Sequence, residues 1–327
     1  MPTLSVSRRH FGLAALSLFA GSTLMHPGAA HSSENLSNVT LRVATYRGFD
    51  TTLLPAAGLD NFPYKVEFSE FNSGNLIAQA INANAIDIGT WSEIPLVFAA
   101  AASALISVVA TIDGPTSNQA VVVPVGSPAH SIRDLRGKKV GYIRSTTAQY
   151  FLIRMLQQAD LTLSDITPVA LGLSEGLTAL KSGSLDAWAT YGYVIPMIEA
   201  DGTARVLQSA ENILSGHYFI GASPARLSDP AFVAAAADYI NRLGKAYATA
   251  MQDKPRWAHI LAPVIRIPEK IILSDLEAEN RPYRIRPWTG ADITSAHAVA
   301  KIFAEQKLLP EHIDLKNLFS NALTPFL

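Results

Sequence analysis

The sequence predicts an α/β fold built as two lobes. Strand-like and helix-like patterns alternate from residue 39 to about 217. The 327 residues exceed one typical domain. One helix–turn–strand unit also occurs twice: "AINANAID" (80–87) matches "ALKSGSLD" (179–186) position by position in residue type, at an offset of 99. Asn84 and Gly183 fall where each unit needs a left-handed residue, and "LRVA" (41–44) and "KKVG" (138–141) lie 97 apart.

The elements follow in order. "VTLRVATY" (39–46) and "YKVEFSEF" (64–71) alternate apolar and polar residues and read as strands. "NLIAQAINAN" places Leu76, Ile77, Ala80 and Ile81 on one helical face, and "AIDIGT" reads as a short strand. "EIPLVFAAAAS" is a helix with Pro95 in its first turn, where proline is tolerated. "LISVVAT" and "QAVVVPV" are apolar enough to be buried strands. "KKVGYI", "ITPVAL", "SLDAWAT" and "ARVLQS" read as strands, and 147–159, 174–182 and 194–201 as helices. After "HYFIGAS" (217–223) the chain turns mainly helical, at about 230–252, 255–265, 268–279 and 290–306.

Composition excludes several functions. Apolar residues make up 49% of the chain, ample for a large core, and the formal net charge of −1 gives no basic field for nucleic acid. There is no cysteine, so disulfides, thiolate metal sites, a cysteine nucleophile and a lipid anchor on cysteine are all absent. "SRRHF" (7–11), the apolar run "FGLAALSLFAG" and the small residues before Ala30 read as an export signal, too short for a membrane anchor and cleaved near Ala30. The paired Arg8 and Arg9 point to the twin-arginine route, with the general secretory route as the alternative. Residues 1–30 hold two of the 26 basic residues and no acid, so the remainder carries 24 basic against 27 acidic, about −3. The expected product is free in a periplasm.

"YIRSTTAQYFLIRML" (142–156) contains the first candidate site. A helix start leaves backbone N–H groups unsatisfied and carries partial positive charge, so it can hold an anion. Phe151, Leu152, Met155, Leu156 and Ala159 form the face that would dock this helix on a sheet, leaving Ser145, Thr146 and Thr147 at its mouth. Plain N-capping by Ser145 or Thr146 is the alternative.

These segments together resemble the periplasmic solute-binding proteins for aliphatic sulfonates, taurine and nitrate, the aliphatic-sulfonate branch most of all. "VVVPVGSPAHSIRDLRGKKVG", "STTAQYFLIRMLQQADLTLSDI" and "GSLDAWATY" carry the likeness, which spans roughly residues 40–290. The resemblance implies a type II periplasmic binding protein fold, its lobes joined by two crossover strands and its ligand in the cleft between them. Lobe one would hold 39–122 and 220–327, and lobe two 125–217, with crossings at "QAVVVP" and "HYFIGA". It also implies a monomer that delivers an organic anion to an ABC permease in the inner membrane, with its cytoplasmic ATPase, and that needs no cofactor or metal.

Further site residues follow from the resemblance and the residue types. The family places its sulfonate at the helix start holding Thr146 and Thr147, and Gln149 stands where it usually has His. Ser73, Gly74 and Asn75 form a second helix mouth, and Thr90, Trp91 and Ser92 a third junction, Trp91 being either an apolar wall or packing beneath the loop. Trp188 and Tyr191 are candidates for an aromatic slot, with core packing the alternative for Trp188. Tyr191 and Gly192 replace a family Trp and Asp. That loss argues against a taurine-like aminosulfonate and for a bulkier substituent. Arg47 is a candidate bidentate donor or a surface residue, Tyr218 a weaker candidate, and Asp113 reads as structural.

Two rival functions are weighed. The same fold, by resemblance, also hosts a desulfinase and a thiamine-pyrimidine synthase. Both depend on cysteines that this chain lacks, and no His-x-x-x-His pattern appears. Uptake of nitrate or another anion, or a sensory receptor, would use the same fold.

Overall fold

The computed structural model of the protein describes residues 36–327. The proposed signal, its twin-arginine pair and the cleavage point near Ala30 lie outside the described residues. Along the chain run β1 (Thr40–Thr45), α1 (Asp50–Ala56), β2 (Lys65–Glu70), α2 (Gly74–Asn82), β3 (Ile88–Ser92), α3 (Glu93–Ala101), β4 (Ser107–Asp113) and β5 (Gln119–Pro124). There follow β6 (Lys139–Tyr142), α4 (Thr147–Gln158), β7 (Thr167–Ala170), α5 (Leu173–Lys181), β8 (Ala187–Tyr191), α6 (Val194–Ala200) and β9 (Ala204–Ser209). The last part comprises β10 (His217–Ala222), α7 (Pro230–Gln252), α8 (Lys254–Ile265), α9 (Glu269–Ala278), β11 (Arg284–Arg286) and α10 (Gly290–Glu305).

The strands form two sheets, one of six in the order β11-β4-β10-β3-β1-β2 and one of five in the order β7-β6-β8-β5-β9. Apart from β11, the two orders are the same pattern. Two parallel neighbours flank β1 in one sheet and β6 in the other, and one antiparallel strand, β10 or β5, is inserted before the last. The internal repeat is therefore a repeat of topology. Asn84 and Gly183 both adopt the left-handed conformation, with φ of 55° and 73°. Asp87 and Asp186 each accept the backbone N–H of the neighbouring strand, from Arg42 at 2.9 Å and Lys139 at 2.8 Å.

Residues 119–124 and 217–222, read from the sequence as crossings, are each a full strand of one sheet: β5 of the second and β10 of the first. The segments that pass between the sheets are 114–118 and 210–216. They are joined where the Gly114 N–H donates to the Gly216 carbonyl at 2.9 Å.

Burial follows most of the residue pattern, with Leu76 the clearest exception and Ala80 and Ala159 only partly buried. On α4 the predicted face is buried, Phe151, Leu152 and Leu156 completely. On α2, Ile77 and Ile81 are buried but Leu76 is 43% exposed, and Ala78 takes its place in the core. The helices after β10 cover the first sheet. Phe232, Ala235, Tyr239, Ile240 and Leu243 of α7 share one core with Leu41, Val43, Val109 and Ile220. No helix among the described residues is long and apolar enough to cross a membrane. Two elements escape the sequence pattern: α1 is short and contains Pro55, and β11 has only three residues.

Candidate functional site

A cavity of about 520 Å³ lies between the sheets, lined from both. Its walls come from strand–helix junctions and from α7 to α9. Of the residues singled out in the sequence, Arg47, Ser73, Gly74, Thr90, Trp91, Ser92, Thr146, Thr147, Tyr191 and Tyr218 border it. Ser145, Gln149, Asn75 and Trp188 do not.

The mouth of α4 is the most distinctive wall. Thr146 is its N-cap, in extended backbone, yet its side chain makes no capping bond. The Thr146 hydroxyl instead donates to the Ile143 carbonyl at 2.7 Å. The Thr147 hydroxyl has no hydrogen-bond partner among the described residues, and both threonines are buried. The first-turn N–H groups of α4 therefore keep their donor capacity toward the cavity. Tyr191 stands beside Thr146. Burial pushes its hydroxyl up to about 12, against a hydrogen bond with Thr146, so it stays a neutral donor.

Two predictions beside this mouth are corrected. Ser145 is left-handed, with φ of 57°, and its N–H donates to Gln149 Oε1 at 2.7 Å. Gln149 is the third helical residue and reaches back over the helix start in the manner of a capping box. It closes the turn that presents the threonines and does not face the cavity.

The α2 and α3 mouths lack side-chain caps too, at Ser73 and Ser92. Gly74 is required here, because a Cβ would lie 2.6 Å from Cβ of Trp91. Trp91 is both packed and at the cavity. It is 1% exposed, its ring covers Gly221, and it also borders the cavity. Asn75 turns away, with its Oδ1 buried and unpartnered. Trp188 is corrected outright as a slot residue. It is fully buried among Leu180, Leu185 and Ile198, with its indole over Gly176, where a Cβ would lie 2.5 Å from the ring.

Arg47 is exposed, and its Nε donates to the Val264 carbonyl at 3.1 Å. Tyr218 donates to the Pro115 carbonyl at 2.9 Å. Asp113 is structural, as read from the sequence. Burial opposes its ionisation, but two-nitrogen bonding from Arg286 holds its carboxyl below the usual range.

Sequence reasoning missed the walls supplied after β10 and by β5. Tyr247, Met251, Trp257, Leu261, Glu279 and Tyr283 all border the cavity, as do Asp50 and Gln119. Burial pushes the Asp50 carboxyl up to about 6, against a hydrogen bond from Tyr239. Three consecutive residues after α9 also reach different partners. Glu279 borders the cavity. Asn280 Oδ1 accepts from the Thr116 N–H at 3.0 Å, and Arg281 donates to the Ser215 carbonyl at 2.9 Å. Thr116 and Ser215 lie on the two segments between the sheets. No short motif marks these residues, since they are spread along four elements.

The model of the family described as NMT1/THI5 like matches residues 58–253. The chain belongs to this family. Within wider comparisons, it is 26% identical over 253 residues to a putative aliphatic sulfonates-binding protein of Escherichia coli (strain K12), covering 77% of this chain and 78% of that one. The alkanesulfonate-binding protein SsuA of Xanthomonas axonopodis pv. citri, solved bound to MOPS, superposes with a TM-score of 0.78 at 26% identity, over 86% of this chain and 98% of that one. A desulfurization enzyme, DszB, shares the fold alone, with a TM-score of 0.62 at 13% identity over 88% and 97% of the two chains. The NMT1/THI5-like chain thus has the two-sheet fold of the periplasmic binding proteins.

Proposed function

We propose that the protein is the solute-binding component of an ABC importer, and that its solute is an organic sulfonate. The observation that carries this reading is the α4 mouth: two buried threonines and an uncapped helix start open onto a cavity of about 520 Å³ between two sheets. A sulfonate is fully ionised, so it needs donors and no proton exchange. Backbone N–H groups, Thr147, Tyr191 and the Ser73 and Ser92 junctions are such donors. The remaining wall is largely apolar and suits a carbon chain. Micromolar affinity corresponds to about −8 kcal/mol. A few charge-assisted hydrogen bonds at ~1.5–3 kcal/mol each reach that figure after the costs of association.

The two sheets would be the centres of two lobes that close on the ligand about segments 114–118 and 210–216. Export to a periplasm, a monomeric state and delivery to a permease complete the proposal. The sulfonate-binding relatives and the shared fold support it. Calorimetric titration with alkyl and aryl sulfonates, sulfate esters, nitrate and carboxylates tests it. Micromolar binding of a sulfonate, with the ligand recovered unchanged, is the expected result. A preference for nitrate or carboxylate, or turnover of the sulfonate, overturns it.

A further inference from the structure

The end of the cavity formed by Glu279 and its neighbours has a chemistry opposite to that of the α4 mouth. Glu279 Oε2 is buried and has no hydrogen-bond partner among the described residues. Gln119 is 4% exposed, borders the same cavity, and its Oε1 is likewise buried without a partner. The orientation of that amide follows from its neighbour. The Tyr218 hydroxyl proton goes to the Pro115 carbonyl, so its oxygen can only accept. It meets Gln119 Nε2 at 3.4 Å, which leaves Oε1 as the open group. Two side chains that border the cavity, one of them a carboxylate, thus each carry a buried oxygen with no donor among the described residues, Glu279 Oε2 and Gln119 Oε1.

Aromatic rings complete the surroundings. Tyr193, Tyr218, Tyr247 and Tyr283 all border the cavity. Tyr283 stacks on Tyr247 at 4.9 Å and lies 6.2 Å from Tyr218. Burial comes first in keeping Tyr193, Tyr218 and Tyr283 neutral, and the charge of Glu279, which borders the same cavity, adds to it at all three. Ring faces attract a cation, and a carboxylate at the cavity wall repels an anion. A ligand carrying only a sulfonate would be pushed away by this wall. A ligand with a positive group at its other end would be held by it.

We propose that this end of the cavity is a subsite for a protonated amine, with Glu279 as counter-ion, Gln119 as neutral acceptor and the tyrosine rings around it, so that the ligand is an aminoalkanesulfonate. The inference rests on the sulfonate reading above and narrows it. It also reverses the expectation drawn from Gly192: the acid missing after β8 has a counterpart at the end of α9. Burial and the neighbouring Asp275 push the Glu279 carboxyl up to about 7, with Lys254 opposing. Those two, the tyrosines, Arg281 near Tyr218, and Asp50, Arg47 and Arg266 elsewhere on the cavity wall are the titratable and charged groups around it. An ammonium group would draw the carboxyl back to its ionised form.

Calorimetry on the wild-type chain and Glu279→Gln, with alkanesulfonates of two to six carbons and the same chains ending in a primary amine, tests this. At pH 8 the wild type should prefer the amine-bearing member of the best-fitting length by at least about tenfold, and the preference should shrink at pH 6. In Glu279→Gln the amine ligand should weaken about tenfold while the plain alkanesulfonate tightens. That opposite movement would not follow from a packing role. Equal affinities in the wild type, or parallel changes in the variant, overturn the subsite. If neither series binds, the sulfonate reading fails by itself, and the subsite is decided by alkylammonium chlorides. Thermal stabilisation of the wild type but not of Glu279→Gln keeps it, and no stabilisation removes it.

Discussion

The two sheets fill the same packing position from opposite sides. In the first, β3 contributes Gly89 and α2 contributes Ile77. A Cβ on the glycine would lie 2.6 Å from the Ile77 side chain and 2.9 Å from Ala44 Cβ. In the second, 99 residues on, β8 contributes Trp188 and α5 contributes Gly176, and Gly141 of β6 makes room on the other flank. A small strand residue meets a large helix residue at one sheet, and the reverse holds at the other. The contact keeps its volume while the residue that supplies it changes sides. Close packing rewards the sum of the two side chains, and either arrangement satisfies it. The same exchange removes Trp188 from the cavity wall, because its ring is required between β8 and α5.

The strongest way to break this comparison is Trp188→Ala. Loss of a fully buried indole should destabilise the protein by about 3–5 kcal/mol in denaturant unfolding. Gly176→Ile alone should also destabilise, by about 1–3 kcal/mol or more, through overpacking. The double variant Gly176→Ile/Trp188→Gly copies the arrangement at the first sheet, and it should be more stable than the sum of the single effects implies. Strict additivity would show that the two sites do not exchange volume.

The helix mouths allow a second, smaller contrast. Thr147→Val keeps shape and removes a hydroxyl at the cavity. It should lower sulfonate affinity about tenfold, near 1.4 kcal/mol, with little change in melting temperature. Ser73→Ala at the α2 mouth should lower it less than about threefold, because Gly74 there is packed against Trp91 and Pro95. Calorimetry on both variants ranks the two mouths, and an equal loss would erase the distinction.

The smallest effect concerns pH. Asp50 and Asp275 sit at about 6 and Glu279 at about 7 in the folded protein, each raised by burial. Raised acids favour the protonated folded form, so their stabilising effect is present at low pH and lost as pH rises from about 4 toward 7. The ligand-free protein should therefore melt a few degrees lower at pH 8 than at pH 5.5. Glu279→Gln should flatten that slope. Below about pH 4 the trend reverses, because Asp113 and Asp292 are held below their usual range against the effect of burial and lose their ion pairs with Arg286 when protonated.

Most of the fold was legible in the sequence because its elements are long and periodic. The strands at 40–45 and 65–70 and the helices at 74–82, 147–158 and 230–252 follow their apolar spacing within a residue or two. The element α1 was not legible, since seven residues containing a proline show no period, and β11 exists through its pairing with β4. Local grammar also located the three helix mouths. It could not separate Thr147 from Gln149, four and six residues past Ile143, because only the turn at Ser145 decides which side chain faces outward. The tyrosines and Glu279 are brought together by tertiary packing of β10, α6, α7 and the chain after α9, which leaves no spacing to read.

The tripeptide Glu279–Asn280–Arg281 works as a yoke. Its first side chain faces the cavity, its second grips Thr116 and its third grips Ser215. Those two grips are on the only covalent links between β4 and β5 and between β9 and β10. A pull on the acid is transmitted over one peptide bond to one link and over two to the other. A guest that engaged Glu279 would thereby bear on the joint through the backbone, besides any contact with Asn118, which belongs to segment 114–118 and itself borders the cavity.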